Sequence, residues 1–359
     1  MQERFFCPEY RLPPPSFCFF LRLLFNCNIY SFVYTIHIMS TNYILQLKHI
    51  LDSQSLTQQQ LAEKLEVSFA TLNRWLNKHA VPHKKRLEQI SRLHREAVGY
   101  SSITAEDING TISEADSYRK NRIWKIIESR QDLLDDLLLE HTYNSTTIEG
   151  TTFTKKQTEA VIFDKLTIKD KSLIEHLDVV NYSVILRKIL KKEFPQRITE
   201  TSIKEIHRLL LQGVREDGGS YSQHQRGIRG LDMMLTHPQD ISEEMGRLIR
   251  RWNSGKQKNI QSIAKFHSDF ELIHPFGDGN GRVGRLIMVL QCQAENYAPV
   301  IIENSRKAEY YEVLEYAQRK SEYPFVRFLV DEMKRTFRII KKYSISNSKI
   351  NSRPKPLRK

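Results

Sequence analysis

Apolar residues recur at helical spacing through most of this chain, and the places where the recurrence lapses divide it. From about Asn121 to Ile340 the 3.6-residue period hardly breaks, and Pro195, Pro238, Pro275, Pro299 and Pro324 fall between the periodic runs. This predicts an all-α body over 118–340. A second helical block covers 39–98, with Ile44, Leu47, Ile50 and Leu51 at helical spacing. Between them, GYSSITAEDINGTISEADS (99–117) is polar and rich in Ser, Thr, Gly and acid, which predicts a linker. Within the body only 221–236 lacks a helical period, and Gly227 and Gly230 there suit a short β-hairpin. No internal repeat is present.

Inside the first block, LTQQQLAEKLEVSFATLNRWLNKHAVP (56–82) carries its own pattern. Leu61, Ala62 and Leu65 form the inner face of one short helix, Glu66, Val67 and Ser68 make a turn with Ser68 as N-cap, and Leu72, Trp75 and Leu76 anchor a second helix. The arrangement resembles a helix-turn-helix of the phage-repressor type, with Glu66 where that family usually has glycine. The resemblance implies DNA as a partner through residues 57–78, with Thr71, Asn73, Arg74 and Lys78 offered to base edges and phosphates. A small helical bundle that binds protein is the alternative use of the same pattern.

The first 38 residues match nothing that follows: ten aromatics, three cysteines, a Pro13-Pro14-Pro15 run and no amphipathic period. Residues 16–38 have the length of a membrane span, but Arg22, Asn26, Asn28 and His37 interrupt it, and arginine near a span centre costs about 3 kcal/mol. No signal-peptide cleavage pattern is evident. The expectation is that translation begins at Met39 and that 1–38 is upstream sequence read in frame.

Composition changes this picture little. The net charge of +13 is concentrated in two places: 333–359 holds ten Lys or Arg and no acid, and 39–98 holds nine bases against five acids. The body is thus nearly neutral, and residues 341–359 read as a solvated basic tail. Only Cys292 lies beyond residue 38, so the body has neither a disulfide framework nor zinc spacing; a cytoplasmic setting, with no membrane partner, is expected.

The densest chemistry is HPFGDGNGRVGR, 274–285. Ile263, Phe266, Phe270 and Ile273 mark a buried helix running up to His274 and stopped by Pro275, and Leu286, Val289 and Leu290 begin another. Between two core helices, Gly279, Asn280 and Gly281 can turn successive backbone N–H groups onto an anion at a helix N-terminus. Arg282 and Arg285 can clamp further phosphate oxygens by forked bonds. Asp278 supplies a hard oxygen for Mg²⁺, and His274 has the pKa range of a general base. Together these imply a nucleoside triphosphate.

The stretch also matches the motif HPFx[D/E]GNGRxxR at every defined position, and on it the chain resembles the Fic family from about residue 120 to 335, including THPQDI (236–241) and APVIIENSRKAEYYEVL (298–314). The resemblance implies a helical Fic fold with a small hairpin flap and transfer of AMP from ATP to a Ser, Thr or Tyr hydroxyl of a protein substrate. It makes His274 the base, Asp278 the Mg²⁺ ligand, Gly279–Gly281 the phosphate cradle and Arg282 and Arg285 its clamp. By the same resemblance Gly227, Ile228, Arg229 and Gly230 form the flap over the nucleotide, and Tyr310 contacts the base. Gln318 stands where some relatives carry an asparagine near the adenine.

A second stretch, NSTTIEG (144–150), puts Ser145 and Glu149 on one helical face before Gly150. It matches the Fic inhibitory pattern [S/T]xxxE[G/N]. The resemblance implies that Glu149 pairs with Arg285, takes the γ-phosphate's place and holds activity low; in some such relatives the same glutamate assists AMP removal. The rival functions are a regulator whose Fic domain only senses nucleotide, and a transferase with another nucleotide-linked donor. A homo-oligomer is a further candidate assembly.

Overall fold

The computed structural model describes residues 43–100, 103–226, 235–255 and 258–350, and among these the regular structure is helical, with no strand. The chain divides into two compact units, one ending at Ser102 and the other beginning at Ile103.

In the first unit, α1 (43–53), α2 (Gln58–Lys64), α3 (Phe69–Leu76) and α4 (Lys84–Val98) enclose a small core of Leu47, Ile50, Leu61, Leu65, Leu72 and Ile90, each at most 1% exposed. Local chemistry starts both short helices. Thr57 and Gln60 form a capping box at α2, and the Ser68 hydroxyl accepts the Thr71 N–H at 3.1 Å at α3. Glu66 turns the chain between them at φ +52°, a left-handed conformation that costs a residue with a Cβ about 1–2 kcal/mol. Arg86 from α4 compensates, since its guanidinium donates to the carbonyls of Leu65 (2.7 Å) and Glu66 (3.2 Å).

Residues expected to be a linker form α5 (Ala105–Arg119), started by a Thr104/Asp107 capping box. Its narrow apolar stripe of Ile108, Ile112 and Ala115 is buried, and Arg119 reaches Glu295 at 3.3 Å while the Tyr297 hydroxyl donates to Asp116. The last helix runs from Tyr323 to Ile350, and the backbone carbonyl of Tyr343 accepts from Arg130 at 3.1 Å. Residues 351–359 lie outside the described residues, as do 1–42 with the anticipated start at Met39.

Between these ends run α6 (Ile123–Ser129), α7 (Gln131–Glu149), α8 (Lys155–Ile162), α9 (Leu173–Leu190), α10 (Glu200–Leu210), α11 (Ile241–Ser254), α12 (Ile260–Ile273), α13 (Asn280–Ala294), α14 (Lys307–Arg319) and α15 (Tyr323–Ile350). Helix α13 is central: every residue from Val283 to Cys292 is buried, and it packs against α7, α9, α10 and α12. An element apolar on all sides must be enclosed on all sides. As a result the N-terminus of α13 is fixed at the foot of α7 and α12, which is where the two sequence motifs end.

Because Glu66 is held left-handed without the freedom of glycine, Glu66→Gly should stabilise the turn by about 0.5–1 kcal/mol. The measurement is amide hydrogen exchange of the full chain, with higher protection expected across Gln58–Leu76. Unchanged or weaker protection there would contradict the reading.

Candidate functional site

Helix α12 ends at His274, whose φ of +49° reverses the chain while its N–H still donates to the Phe270 carbonyl at 2.9 Å. The loop that follows is closed by one side chain. Asn280 accepts the Phe276 N–H at 2.9 Å and donates to the Phe276 carbonyl at 2.8 Å, entirely buried. This side chain is therefore a staple, and what Asn280 can offer a ligand is its backbone N–H at the first turn of α13. Gly279 caps that helix at φ +77°, where a Cβ would be strained.

A histidine that sequence reasoning passed over holds the loop from below. The Asp278 carbonyl accepts from His207 Nε2 at 3.1 Å, the His207 Nδ1 accepts the Gly219 N–H at 2.8 Å, and the ring stacks on Phe276 at 3.7 Å between centroids. Both ring nitrogens are thus committed in one neutral tautomer. The signal for it, a histidine on the apolar face of α10, is common in cores and gives no hint of a partner 71 positions away.

The His274 imidazole is four-fifths buried and points Nδ1 at the Glu271 carbonyl, 3.3 Å away. A carbonyl can only accept, so the proton sits on Nδ1 and Nε2 keeps its lone pair. Burial pushes the His274 pKa down to about 4, against the opposing Glu271 carbonyl bond. The ring is neutral at physiological pH, with its Nε2 lone pair unprotonated.

Arg285 is the most enclosed cation of the group, with 3% of its side chain exposed. Its Nε donates to the Ser145 hydroxyl at 2.7 Å, and Nη2 donates to the Ser145 carbonyl at 3.1 Å and to Glu149 Oε1 at 2.6 Å. Helix α7 delivers both acceptors because Ser145 and Glu149 lie one turn apart, and Gly150 ends it at φ +115°. The carboxylate also lies against the loop. A Cβ on Gly281 would fall 2.3 Å from Glu149 Oε1, so glycine at 281 is what lets the acid rest on the N-terminus of α13. A helix N-terminus and a buried guanidinium are two independent attractions for one anion; Glu149 is bonded to the guanidinium and lies against the first turn of α13.

Glu149, Gly281 and Arg285 line a pocket of about 100 Å³ with Glu271, His274, Tyr310, Tyr311 and Gln318. That is far below the roughly 300–1,000 Å³ of ordinary ligand sites. Tyr310 is 1% exposed and its hydroxyl is bonded to His267 Nε2 at 2.8 Å, so it is a wall of the pocket and Tyr311 is the more open ring. Gln318 donates to the Ser268 carbonyl at 3.2 Å. Arg282 donates to Asp178 and, at 3.2 Å, to Asp278 Oδ1, which also accepts the Gly279 N–H at 2.6 Å. Residues 227–230, expected to form the flap, lie outside the described residues.

In the first unit, α3 leaves Arg74 exposed, with Thr71 and Asn73 half-buried beside it, and Lys78 is exposed just past its end. Thr71 is within 2.8 Å of the Ser68 hydroxyl, and the carbonyl of Asn73 accepts from the Asn77 amide at 3.0 Å. Arg74 and Lys78 are the side chains best placed to meet an external anion.

Comparison with known proteins matches these sites to two family models: residues 197–292 fit the Fic/DOC family and residues 47–96 fit a helix-turn-helix. The chain is thus similar to the Fic/DOC family and, ahead of that match, to a helix-turn-helix. Among curated relatives, "Protein adenylyltransferase Fic" of Culex quinquefasciatus is 30% identical over 281 residues, covering 75% of this chain and 50% of the relative. That of Drosophila melanogaster is 32% identical over 203 residues, covering 55% and 41%. The chain spans about half the length of the curated relatives it matches. Two solved structures share the fold: Fic-1 (residues 134–508) of C. elegans, with TM-score 0.56, 21% identity and coverage of 86% of this chain and 99% of that one, and a Fic domain containing signaling protein of Bacteroides thetaiotaomicron, with TM-score 0.56, 22% identity and coverage of 65% and 98%. The Fic/DOC match contains the loop 274–285 and His207; Glu149 and Tyr310 fall outside it.

Four histidines of the second unit stay neutral through burial: His141 and His267 are pushed down to about 3, His207 and His274 to about 4. Unfolding exposes them to protons near pH 6.5, about the unperturbed value. Since the folded pKa is depressed, their contribution to stability is complete above pH 6.5 and is lost as the pH falls from there toward 4. Denaturant midpoints taken from about pH 7 to about pH 4.5 should therefore decline, and His207→Gln should lower the slope by up to about 1.4 kcal/mol per pH unit. An unaltered slope would show that His207 is not held neutral.

Proposed function

We propose that the chain is an autoinhibited protein adenylyltransferase that moves AMP from ATP to a Ser, Thr or Tyr hydroxyl of another protein. One observation carries the reading: a carboxylate from α7 rests where the Gly279–Gly281 turn and Arg285 would otherwise hold a phosphate, on the rim that carries the unprotonated Nε2 of His274. The names of the curated relatives support the same activity.

In this reading Glu149 leaves the cradle and the polyphosphate takes its place on the α13 N-terminus and Arg285. His274 Nε2 accepts the proton of the incoming hydroxyl, whose oxygen bonds to the α-phosphorus as the bond from that phosphorus to the β-bridging oxygen breaks. Pyrophosphate departs with the electron pair, and AMP remains on the protein. The loop N–H groups and Arg285 stabilise the charge that builds on the phosphoryl oxygens, and they need no reorganisation because Asn280 and His207 fix them beforehand. Asp278 fits a magnesium ion, which typically takes one or two carboxylates together with substrate phosphates: its side chain is 49% exposed at the mouth of the cradle. The ion would supply charge neutralisation between phosphates.

The first unit fits a DNA-contacting head on the strength of its helix-turn-helix match and of Arg74 and Lys78. A cytoplasmic location accords with both functions, and among the described residues no helix is long and apolar enough to cross a membrane.

The variant Glu149→Gly should gain about tenfold or more in transfer of label from ATP to itself or to added protein, since a lost charge-assisted contact of about 1.5–3 kcal/mol corresponds to that range. His274→Ala in the same background should abolish it, and the modified peptide should carry the mass of an adenylyl group. Equal labelling by wild type and Glu149→Gly would refute intramolecular inhibition, and a phosphoryl mass would change the donor chemistry.

A further inference from the structure

Arg285 is not the only motif cation held by an acid from elsewhere in the chain. Arg282, whose side chain is 5% exposed, donates Nη1 to Asp178 Oδ1, and Asp178 stands on α9, 104 positions earlier in sequence. The Asp178 side chain is 16% exposed, and its helix is firmly seated, with Val179 and Tyr182 fully buried. The other partner of Arg282 is of a different kind. Asp278 belongs to the loop itself, is half-exposed, and its Oδ1 divides between Arg282 Nη2 and the Gly279 N–H.

The two outside acids also differ in position. Glu149 lines the pocket and lies over Gly281, in the space an anion would take; neither Asp178 nor Arg282 lines that pocket. Yet Arg282 is adjacent to the cradle, with Nη2 3.8 Å from the point a Cβ on Gly279 would occupy. A guanidinium has five N–H donors in a rigid fork, so one carboxylate can fix it in place and leave others to bind. Ordering a long side chain at the moment of binding costs affinity, and an arginine already ordered avoids that cost.

We propose that Asp178 is a positioning residue for polyphosphate: it pins the Arg282 guanidinium beside the Gly279–Gly281 cradle, so that Nη2 passes from Asp278 to a phosphate oxygen without the arginine leaving its place. The inference rests on the reading that this cradle takes ATP. It gives the two acids opposite roles, Glu149 displaced by the ligand and Asp178 retained with it.

The test uses the full chain carrying Glu149→Gly and His274→Ala, which frees the cradle and prevents turnover. Calorimetric titrations with ATP and with inorganic tripolyphosphate, both with Mg²⁺, are compared before and after adding Asp178→Ala or Asp178→Asn. Asp178→Ala should weaken both ligands about tenfold, with Asp178→Asn, which keeps an acceptor of the same shape, falling between it and the parent. The tripolyphosphate arm separates this from damage to a base pocket, which would weaken ATP alone. Should Asp178→Ala fail to fold, the isosteric Asp178→Asn decides. Affinities unchanged within about twofold, or tightened as for a competing acid, overturn the proposal while leaving the adenylyltransferase reading intact; a parent that binds neither ligand overturns both.

Discussion

A guanidinium buried as deeply as that of Arg285 has to have its charge answered, and in this chain the answer comes from helix α7, through the Ser145 hydroxyl and carbonyl and the Glu149 carboxylate. Removing one partner of a buried ion pair typically costs about 3–5 kcal/mol, because the remaining charge is left desolvated. Leaving Arg285 without an anion is therefore costly, and the pair of attractions at the head of α13 decides which anion answers it. When Glu149 does so, the cradle is filled and the pocket is small. When a polyphosphate does so, the same donors and the same helix terminus hold a substrate.

The rest of the second unit can be understood as support for that exchange. Helix α13 is enclosed on every side, so its N-terminus does not shift to follow one anion or the other. Asn280 and His207 fix the loop from within and below, and His274 ends α12 in a conformation that commits Nδ1 to a carbonyl and leaves Nε2 open. Ser145 bonds Arg285 independently of Glu149, through its hydroxyl and its carbonyl, so the guanidinium has partners besides the anion. Asp178 does the same for Arg282.

Much of this was legible in the residues. The glycines and asparagine of 279–281, the acid and the arginines state their chemistry by type and spacing, and the periodic runs on either side located the loop between core helices. What stayed hidden were contacts between distant segments: His207 beneath Asp278 and Asp178 on Arg282 are a lone histidine and a lone aspartate on otherwise ordinary amphipathic helices. At 99–117 polar composition masks a helix: the Thr104/Asp107 capping box starts it, and Ile108, Ile112 and Ala115 at i, i+4 and i+7 seat it against α15 and α12. Glu66 taught the converse, since its left-handed turn is made without glycine once Arg86 ties down the carbonyls.

One carboxylate and one polyphosphate compete for the same place. The most direct measurement is the ATP dissociation constant of the wild-type chain against that of Glu149→Gln, which keeps the side chain's shape and removes its charge. Tighter binding by the variant, by about tenfold, is the predicted result. Equal constants for the two proteins would mean that Glu149 and the nucleotide do not share a site.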